Sequence, residues 1–600
     1  MMINRLRVFY DIIANNLFVL GIAWRISKLR FIIKIIVTIL SAILPVINIM
    51  IVRHIISLLE SDLARAAYRL NQLFIVIIGL SIMQLFPKLF ATVNTALIEP
   101  MLASKINFYI NKVFIEKASE FEYKNFEDPL FYDKYVRALK QSESIVHTVF
   151  NAFFQLIGSA FALLSLFALV ISMDWIVILF VVFSVVVGFV HSLVSGMLNF
   201  KTSQILTPIN RRINYVKKIL YNPVYAKDIK CNNAMSTGAR YFSESFDSLL
   251  LTIRKFGHKM AFMGVIIIIL STISSTAMML YLVSRVWLGV HNIANFSALL
   301  SSSGQLEGTM NSFFNTISGF YKNSLDIDNF KFVYFYQREQ TDGSRTLNSD
   351  TALKIEIKNL FFKYPNSTKY ALKNISLKIM PGEKVSLVGH NGSGKTTLIK
   401  LLLGLYEPES GEILINDVDM KQYKRDDLQK QLGVVFQDYQ IFAFTIKENI
   451  AFEDEVSDKA RGVLDKLDVS KVITNLPKGY NTPLSKEFDE HGTLMSGGEA
   501  QKICIARAVN KDAGLYIFDE PTSSLDPWAE SKMNRLLYEI TDRTVIFISH
   551  RLTATVAADA IFMLSDGELV ENGSHNELMF KRGMYYEFFM TQAENYISNQ

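Results

Sequence analysis

Two cysteines in 600 residues, Cys231 and Cys504, are too few for a disulfide framework or a cysteine-built metal site. Both fall in segments assigned below to the cytoplasm, where thiols stay reduced. Charge is sparse too: about one residue in five is Asp, Glu, Lys or Arg, and the net charge is only +6. So small an excess, much of it in loops, gives no indication of a nucleic-acid partner. The N-terminus could be mistaken for a signal peptide, but its pattern does not suit cleavage. Asn15 and Asn16 interrupt its apolar run, and bulky Trp24 and Arg25 follow. Residues 1–30 are expected to be retained as an amphipathic helix lying on the membrane.

Half of the residues are hydrophobic, and they are unevenly placed. Residues 31–335 are rich in Ile, Phe, Leu and Val; residues 353–600 have the mixed pattern of an α/β domain; residues 336–352 are a polar linker. Six segments are apolar over the roughly 20 residues a helix needs to cross a bilayer. They are 31–58, 70–98, 146–172, 175–198, 260–286 and 292–320. Arg25, Lys28 and Arg30 precede the first span, and the loops after the second and fourth are rich in Lys and Arg. The connector at Met173-Asp174-Trp175 has no basic residue, and the one after the fifth span has only Arg285. The positive-inside rule then puts both termini and both long loops in the cytoplasm. The long loops have a helical pattern and read as extensions of the spans. The expected fold is a multidomain membrane protein: an all-α six-helix transmembrane domain followed by an α/β P-loop ATPase.

The ATPase reading starts at Gly389-His390-Asn391-Gly392-Ser393-Gly394-Lys395-Thr396-Thr397, which fits G-x-x-x-x-G-K-[ST] without a mismatch. Lys384 to Val388 before it reads as a buried strand, and Thr397 to Leu405 after it as a helix. That order brings backbone N–H groups and a helix N-terminus to the phosphates of ATP. Lys395 supplies a charge for the outer phosphates, and the Thr396 hydroxyl suits Mg²⁺. A second apolar strand, Leu515-Tyr516-Ile517-Phe518-Asp519-Glu520, ends in two carboxylates. The first suits a Mg²⁺ shell, and the second can polarise an attacking water. Met495-Ser496-Gly497-Gly498-Glu499 leads a helical run through Arg507, Ser523-Ser524-Leu525-Asp526 follows the carboxylates, and Val545 to Ile548 runs into Ser549-His550.

This ordered set resembles the ATP-binding cassette (ABC) transporter family, and the six spans before it match the exporter half-transporter layout. The resemblance implies the following roles. Gly389, Asn391, Gly392, Ser393, Gly394, Lys395, Thr396 and Thr397 form the Walker A loop. Asp519 is the Walker B aspartate, and Glu520 the catalytic glutamate. Gln437, in Val435-Phe436-Gln437-Asp438, is the Q-loop glutamine and joins Thr396 and Asp519 around Mg²⁺. His550 is the switch histidine, Asp526 the D-loop aspartate, and Tyr364 before Pro365 the aromatic that stacks on adenine. Ser496, Gly497 and Gly498 are the signature that caps the γ-phosphate held by the opposing subunit, so a dimer is required; a homodimer suffices, with a heterodimer as the alternative. Short coupling helices are implied near Phe126 to Arg137 and near Tyr225 to Asn232. Two departures stand out: the signature ends in Glu499 where Gln is commonest, and Thr482-Pro483-Leu484-Ser485-Lys486-Glu487 replaces Thr-x-Val-Gly-Glu. The second, like the Phe126-Glu127-Asp128-Pro129 region, leans toward exporters of antibacterial or modified peptides. Multidrug or lipid export is the alternative within the family; an ATP-gated channel or regulator is the alternative outside it. No peptidase domain is expected before the spans.

The sixth span carries a polar face. At about 100° per residue, Ser301, Gly304, Gln305, Gly308, Asn311, Ser312 and Asn315 gather on one side with Glu307 at its edge. Lipid cannot solvate such a face, so it lines water or protein. Gln305, Glu307, Asn311 and Asn315 are candidate cavity residues, with Glu307 biasing the cavity toward cationic or polar substrates. In the second span, Pro87 suggests a kink and Lys88 can snorkel to the headgroups.

Overall fold

The computed structural model describes residues 2–60, 66–338, 343–347, 351–365, 367–452, 455–522, 525–540, 542–548 and 555–597. It divides into two compact units, Met1–Glu120 with Asp133–Tyr336 and Phe121–Tyr132 with Gln337–Gln600.

The first unit is helical. In chain order come α1 (Met2–Ile26), α2 (Lys28–Glu60), α3 (Ala66–Val93), α4 (Glu99–Glu120), α5 (Tyr123–Glu127), α6 (Pro129–Met173), α7 (Ile176–Tyr221), α8 (Ala226–Asn232), α9 (Ala234–Trp287) and α10 (Ile293–Tyr334); of these, α5 and the first turn of α6 belong to the second unit. Among the described residues, five stretches are long and apolar enough to span a membrane: Lys28–Glu60, Phe74–Glu120, Ser144–Met173, Ile176–Tyr221 and Ala234–Trp287. The predicted sixth span, 292–320, lies within α10. That helix has the length, at 42 residues, but its Ser, Asn and Gln content keeps it below the apolarity of the others. The long loops are helical, as their pattern predicts. The short helices at the predicted coupling positions are α5, which closes before Pro129 rather than running to Arg137, and α8.

The Asn pair that breaks the apolar run of α1 ties that helix to α10. Asn15 and Asn16 are only 5% and 4% exposed. The Asn15 amide donates to Ser324 Oγ (2.9 Å) and Asp328 Oδ1 (2.7 Å), while its oxygen accepts from Lys331 Nζ (2.6 Å). Asn16 donates to the Phe320 carbonyl (3.1 Å). Four satisfied polar contacts in a buried seam fix one register, because any slip leaves buried donors unmade.

Helices α6, α7, α9 and α10 share an apolar core that includes Leu166, Val170, Val181, Leu282, Leu299 and Leu306. The turn between α6 and α7 holds a buried acid. Asp174 Oδ2 accepts from Tyr281 Oη (2.9 Å) and His291 Nε2 (3.0 Å), and Oδ1 from the Ile176 amide (3.1 Å). One side chain thus joins the α6–α7 turn to the end of α9 and the start of α10.

In the second unit an antiparallel sheet runs in the order β2-β1-β4-β5, from β1 (Ile355–Phe362), β2 (Leu372–Ile379), β4 (Ser410–Ile415) and β5 (Val418–Asp419). A six-stranded sheet runs β10-β9-β3-β8-β7-β6, from β3 (Lys384–Val388), β6 (Leu432–Val435), β7 (Leu515–Asp519), β8 (Thr544–Ile548), β9 (Ala560–Ser565) and β10 (Glu568–Gly573). Its strands pair in parallel except at β9–β10. Strands β7 and β8 are buried along their whole length, as parallel strands covered on both faces must be. Alternation then splits them between two cores. Tyr516, Phe518, Val545 and Phe547 pack on one face, and Leu515, Ile517, Ile546 and Ile548 on the other. The carboxyl ends of β3, β7 and β8 lie side by side, which is where an open α/β sheet binds its ligand.

Candidate functional site

The loop after β3 turns on glycine. Gly389, Gly392 and Gly394 have φ of +150°, +82° and +105°, conformations that side chains rarely adopt. A Cβ on Gly389 would sit 2.2 Å from the Leu564 carbonyl oxygen, and one on Gly394 would sit 2.6 Å from Leu372 Cδ2. Gly394 leads directly into α11 (Lys395–Leu402), which therefore starts two residues before the predicted Thr397. The loop is a cradle that fits an anion. Ser393 Oγ is buried with no hydrogen-bond partner among the described residues. Lys395, 6% exposed, turns its ammonium back onto the carbonyls of Gly389 (2.7 Å) and His390 (3.0 Å). Burial pulls the Lys395 pKa down, partly offset by Glu520 and Asp519. A phosphate replaces weak neutral acceptors with a charged one, so this lysine is held ready for it.

Both acids lie across the pocket. Asp519 closes β7, and burial, reinforced by neighbouring Glu520, pushes its carboxyl up to about 6. Thr396 Oγ1 stands 3.5 Å from Asp519 Oδ2. The predicted strand through Glu520 ends one residue earlier. Glu520 takes φ +48°, costing about 1–3 kcal/mol for a non-glycine residue. That turn carries its carboxylate out of the strand to Gln437, whose Nε2 donates to Glu520 Oε2 (2.9 Å). Asn391, Gly392, Gly394, Lys395, Thr396, Thr397, Gln437, Asp519 and Glu520 line one pocket of about 510 Å³, closed by Ile548 at the end of β8. His550, with Ser523 and Ser524, lies outside the described residues.

The other predicted residues do not line that pocket. Ser496 N-caps α12 (Gly497–Asn510), its hydroxyl and backbone N–H both held by Glu499 in a capping box. Glu499 thus does the capping job open to either Glu or Gln. Ser496 and Gly497 are exposed and Gly498 is half-buried. Asp526 N-caps α13 (Pro527–Glu539), its Oδ1 accepting from Trp528 and Ala529 N–H groups (2.9 Å each). Tyr364 sits at the pocket rim, with its hydroxyl 3.0 Å from Thr397 Oγ1.

Several site neighbours escape sequence reasoning. The Gln501 side chain, fully buried, bonds the Glu520 carbonyl (3.4 Å), and Tyr439 Oη donates to the Gly497 carbonyl (2.7 Å). Beside Tyr364, the Lys400 ammonium lies 5.3, 5.6 and 5.7 Å from the rings of Tyr123, Tyr364 and Tyr406. Glu127 of α5 bonds Tyr406 Oη and pairs with Lys400 (3.4 Å). Burial opposes the charge on Lys400, but Tyr364, Tyr123 and Glu127 outweigh it and raise its pKa. Burial and then Glu127 hold the Tyr406 phenol well above its usual range. Only a spacing between residues about 270 positions apart could have signalled this contact, and sequence patterns do not carry that.

Residues 372–523 match the family described as ABC transporter. The chain is 28% identical over 566 residues to the subtilin transport ATP-binding protein SpaT of Bacillus subtilis, covering 94% of this chain and 91% of that one. It is 29% identical over 505 residues to the nisin transport ATP-binding protein NisT of Lactococcus lactis subsp. lactis, covering 81% and 82%. An ATP-dependent lipid A-core flippase of Syntrophus aciditrophicus is 40% identical over 246 residues, only 40% of this chain and 39% of that one. In fold, the chain is similar to a bacterial Atm1-family ABC exporter solved with ATP bound, with a TM-score of 0.77 at 19% identity, over 94% of this chain and 98% of that one.

Proposed function

We infer that this chain, an exporter-type half-transporter of the ABC superfamily whose cassette hydrolyses ATP, moves a peptide or peptide-like natural product out across the cell membrane as a homodimer. The observation that carries the substrate class is the extent of the likeness. Similarity to the subtilin and nisin transport proteins runs through both units, whereas the flippase match covers a cassette's length. Cassettes share their ATP chemistry whatever the cargo, so likeness confined to one says little about substrate.

The site supports the division of labour that the resemblance implies. The P-loop of α11, Lys395 and Thr397 would hold the phosphates. Thr396, Asp519 and Gln437 would hold Mg²⁺, whose charge would keep the Asp519 carboxyl ionised despite its burial. Held there, Mg²⁺ would supply positive charge against that developing on the transferred phosphoryl group. Glu520, turned out of β7 and held by Gln437, would orient and polarise the attacking water. Ser496, Gly497 and Gly498 lie off this pocket, and a second copy of the chain supplies them. The termini and the long helical loops are cytoplasmic. Tyr364 is the platform for adenine, and its hydroxyl already meets Thr397 Oγ1.

Inside-out vesicles carrying the full chain test this reading. They should accumulate subtilin or nisin in an ATP-dependent manner and leave a fluorescent phospholipid undisturbed. ATP-dependent lipid movement without peptide uptake would overturn the peptide assignment.

A further inference from the structure

Helices α7 and α10 run side by side in a ladder of constant offset. Ser184 Oγ donates to Glu307 Oε1, Gly188 faces the Asn311 amide, and Ser192 Oγ donates to Asn315 Oδ1 (3.1 Å). A Cβ on Gly188 would stand 2.8 Å from Asn311 Oδ1, so small residues on α7 make room for polar ones on α10. The ladder engages Asn311 and Asn315 in helix packing, and Gln305 reaches Ser301 of its own helix (3.4 Å). Glu307 differs, because it also borders a cleft of about 460 Å³ between α7, α9 and α10.

That cleft is one-sided in its chemistry. Among the described residues lining it, Glu307 is the one that carries a charge, and hydroxyls surround it. Three of those hydroxyls give their protons to backbone carbonyls: Ser271 to Ile268 (3.1 Å), Ser274 to Phe180 (3.0 Å) and Ser303 to Leu300 (2.8 Å). Ser184 gives its proton to Glu307. A hydroxyl whose proton is engaged presents only lone pairs. Four of the seven hydroxyls lining the cleft therefore turn lone pairs toward it, and with the Glu307 carboxylate they suit a ligand with several N–H donors and a positive charge. Phe180, Met278 and Leu300 add apolar surface, which suits an alkyl stem.

We propose that the α7–α9–α10 cleft is a binding site for a primary ammonium on an alkyl stem, with Glu307 as its counter-ion. For a peptide cargo this is a lysine side chain or an amino terminus, a refinement that rests on the peptide-export reading. Titrating the full chain in lipid nanodiscs with a dansyl-labelled pentylammonium, read by fluorescence, tests it. The wild type and Glu307→Asp should bind the probe. Glu307→Gln should bind it about tenfold more weakly or worse, the scale of one hydrogen-bonded charge, and the N-acetylated probe should not distinguish wild type from Glu307→Gln. Equal affinity of wild type and Glu307→Gln for the charged probe overturns the proposal. Should Glu307→Gln fail to fold, the wild type alone decides. The pentylammonium must slow modification of Glu307 by an apolar carbodiimide, mapped by mass spectrometry, and no protection refutes the site. Ammonium binding without subtilin or nisin uptake would sink the peptide reading and leave the site; uptake without Glu307-dependent binding would sink the site alone.

Discussion

The signature departure at Glu499 makes a quantitative prediction. Glu499 Oε2 accepts from the Ser496 N–H (2.9 Å) and from the Ser496 hydroxyl (2.8 Å). In the proposed dimer, that hydroxyl would have to redirect its proton to meet the opposing phosphate. A carboxylate is a stronger competitor for it than an amide. Hydrogen bonds to charged groups contribute about 1.5–3 kcal/mol and neutral ones about 0.5–1.5, a gap of about 1 kcal/mol. Glu499 is half-buried, and solvent screening trims that gap to about half at its lower end. Replacing Glu499 by Gln keeps an acceptor for the cap yet weakens its hold on the hydroxyl. The ATP concentration giving half-maximal hydrolysis should then fall about two- to fivefold, with the far-ultraviolet dichroism unchanged. Glu499→Ala should act oppositely on folding, loosening the start of α12 by about 1 kcal/mol. Steady-state ATPase titrations of purified protein in nanodiscs decide the matter. A half-maximal ATP concentration in Glu499→Gln equal to or above wild type would refute the competition argument.

Three further substitutions probe other parts of the site and scaffold. Lys395→Ala removes the ammonium now parked on the Gly389 and His390 carbonyls, and both ATP affinity and turnover should fall by an order of magnitude or more, read by nucleotide binding and phosphate release. Tyr364→Ala should weaken ATP binding more than the maximal rate, by about the 1–3 kcal/mol of one base–aromatic stack; an unchanged ATP affinity would remove the stacking role. Asp174→Asn sets an amide donor among the Tyr281 and His291 donors, and should lower stability by about 1–3 kcal/mol, seen as an earlier thermal transition in detergent.

Sequence legibility followed the range of the forces involved. The P-loop, the acid pair and the all-buried strands were readable because each is a local pattern of residue type against backbone geometry. The start of α11 at Lys395, and the left-handed turn at Glu520, were displaced by one or two residues because glycine freedom and strain are settled by neighbouring strands. Asn15 and Asn16 read as breaks in an apolar run, yet they are anchors, since their partners lie about 310 positions away in α10. The same reason hid Glu127 against Tyr406, and Asp174 against Tyr281 and His291. The polar face of α10 was legible as a face. Its division between a ladder with α7 and a cleft beside Glu307 depended on where α7 places Ser184, Gly188 and Ser192.

In the proposed function, Glu520 drives hydrolysis in an ATP site completed by a second copy of the chain. Glu520→Gln keeps the shape and the hydrogen-bonding reach of the side chain but removes the water-polarising charge, a loss worth orders of magnitude in rate. Parallel measurement of ATP binding, phosphate release and oligomeric state on purified Glu520→Gln tests this directly. Near wild-type ATP affinity, hydrolysis reduced by about a hundredfold or more, and accumulation of an ATP-bound closed dimer are expected. Hydrolysis at a near wild-type rate would contradict it.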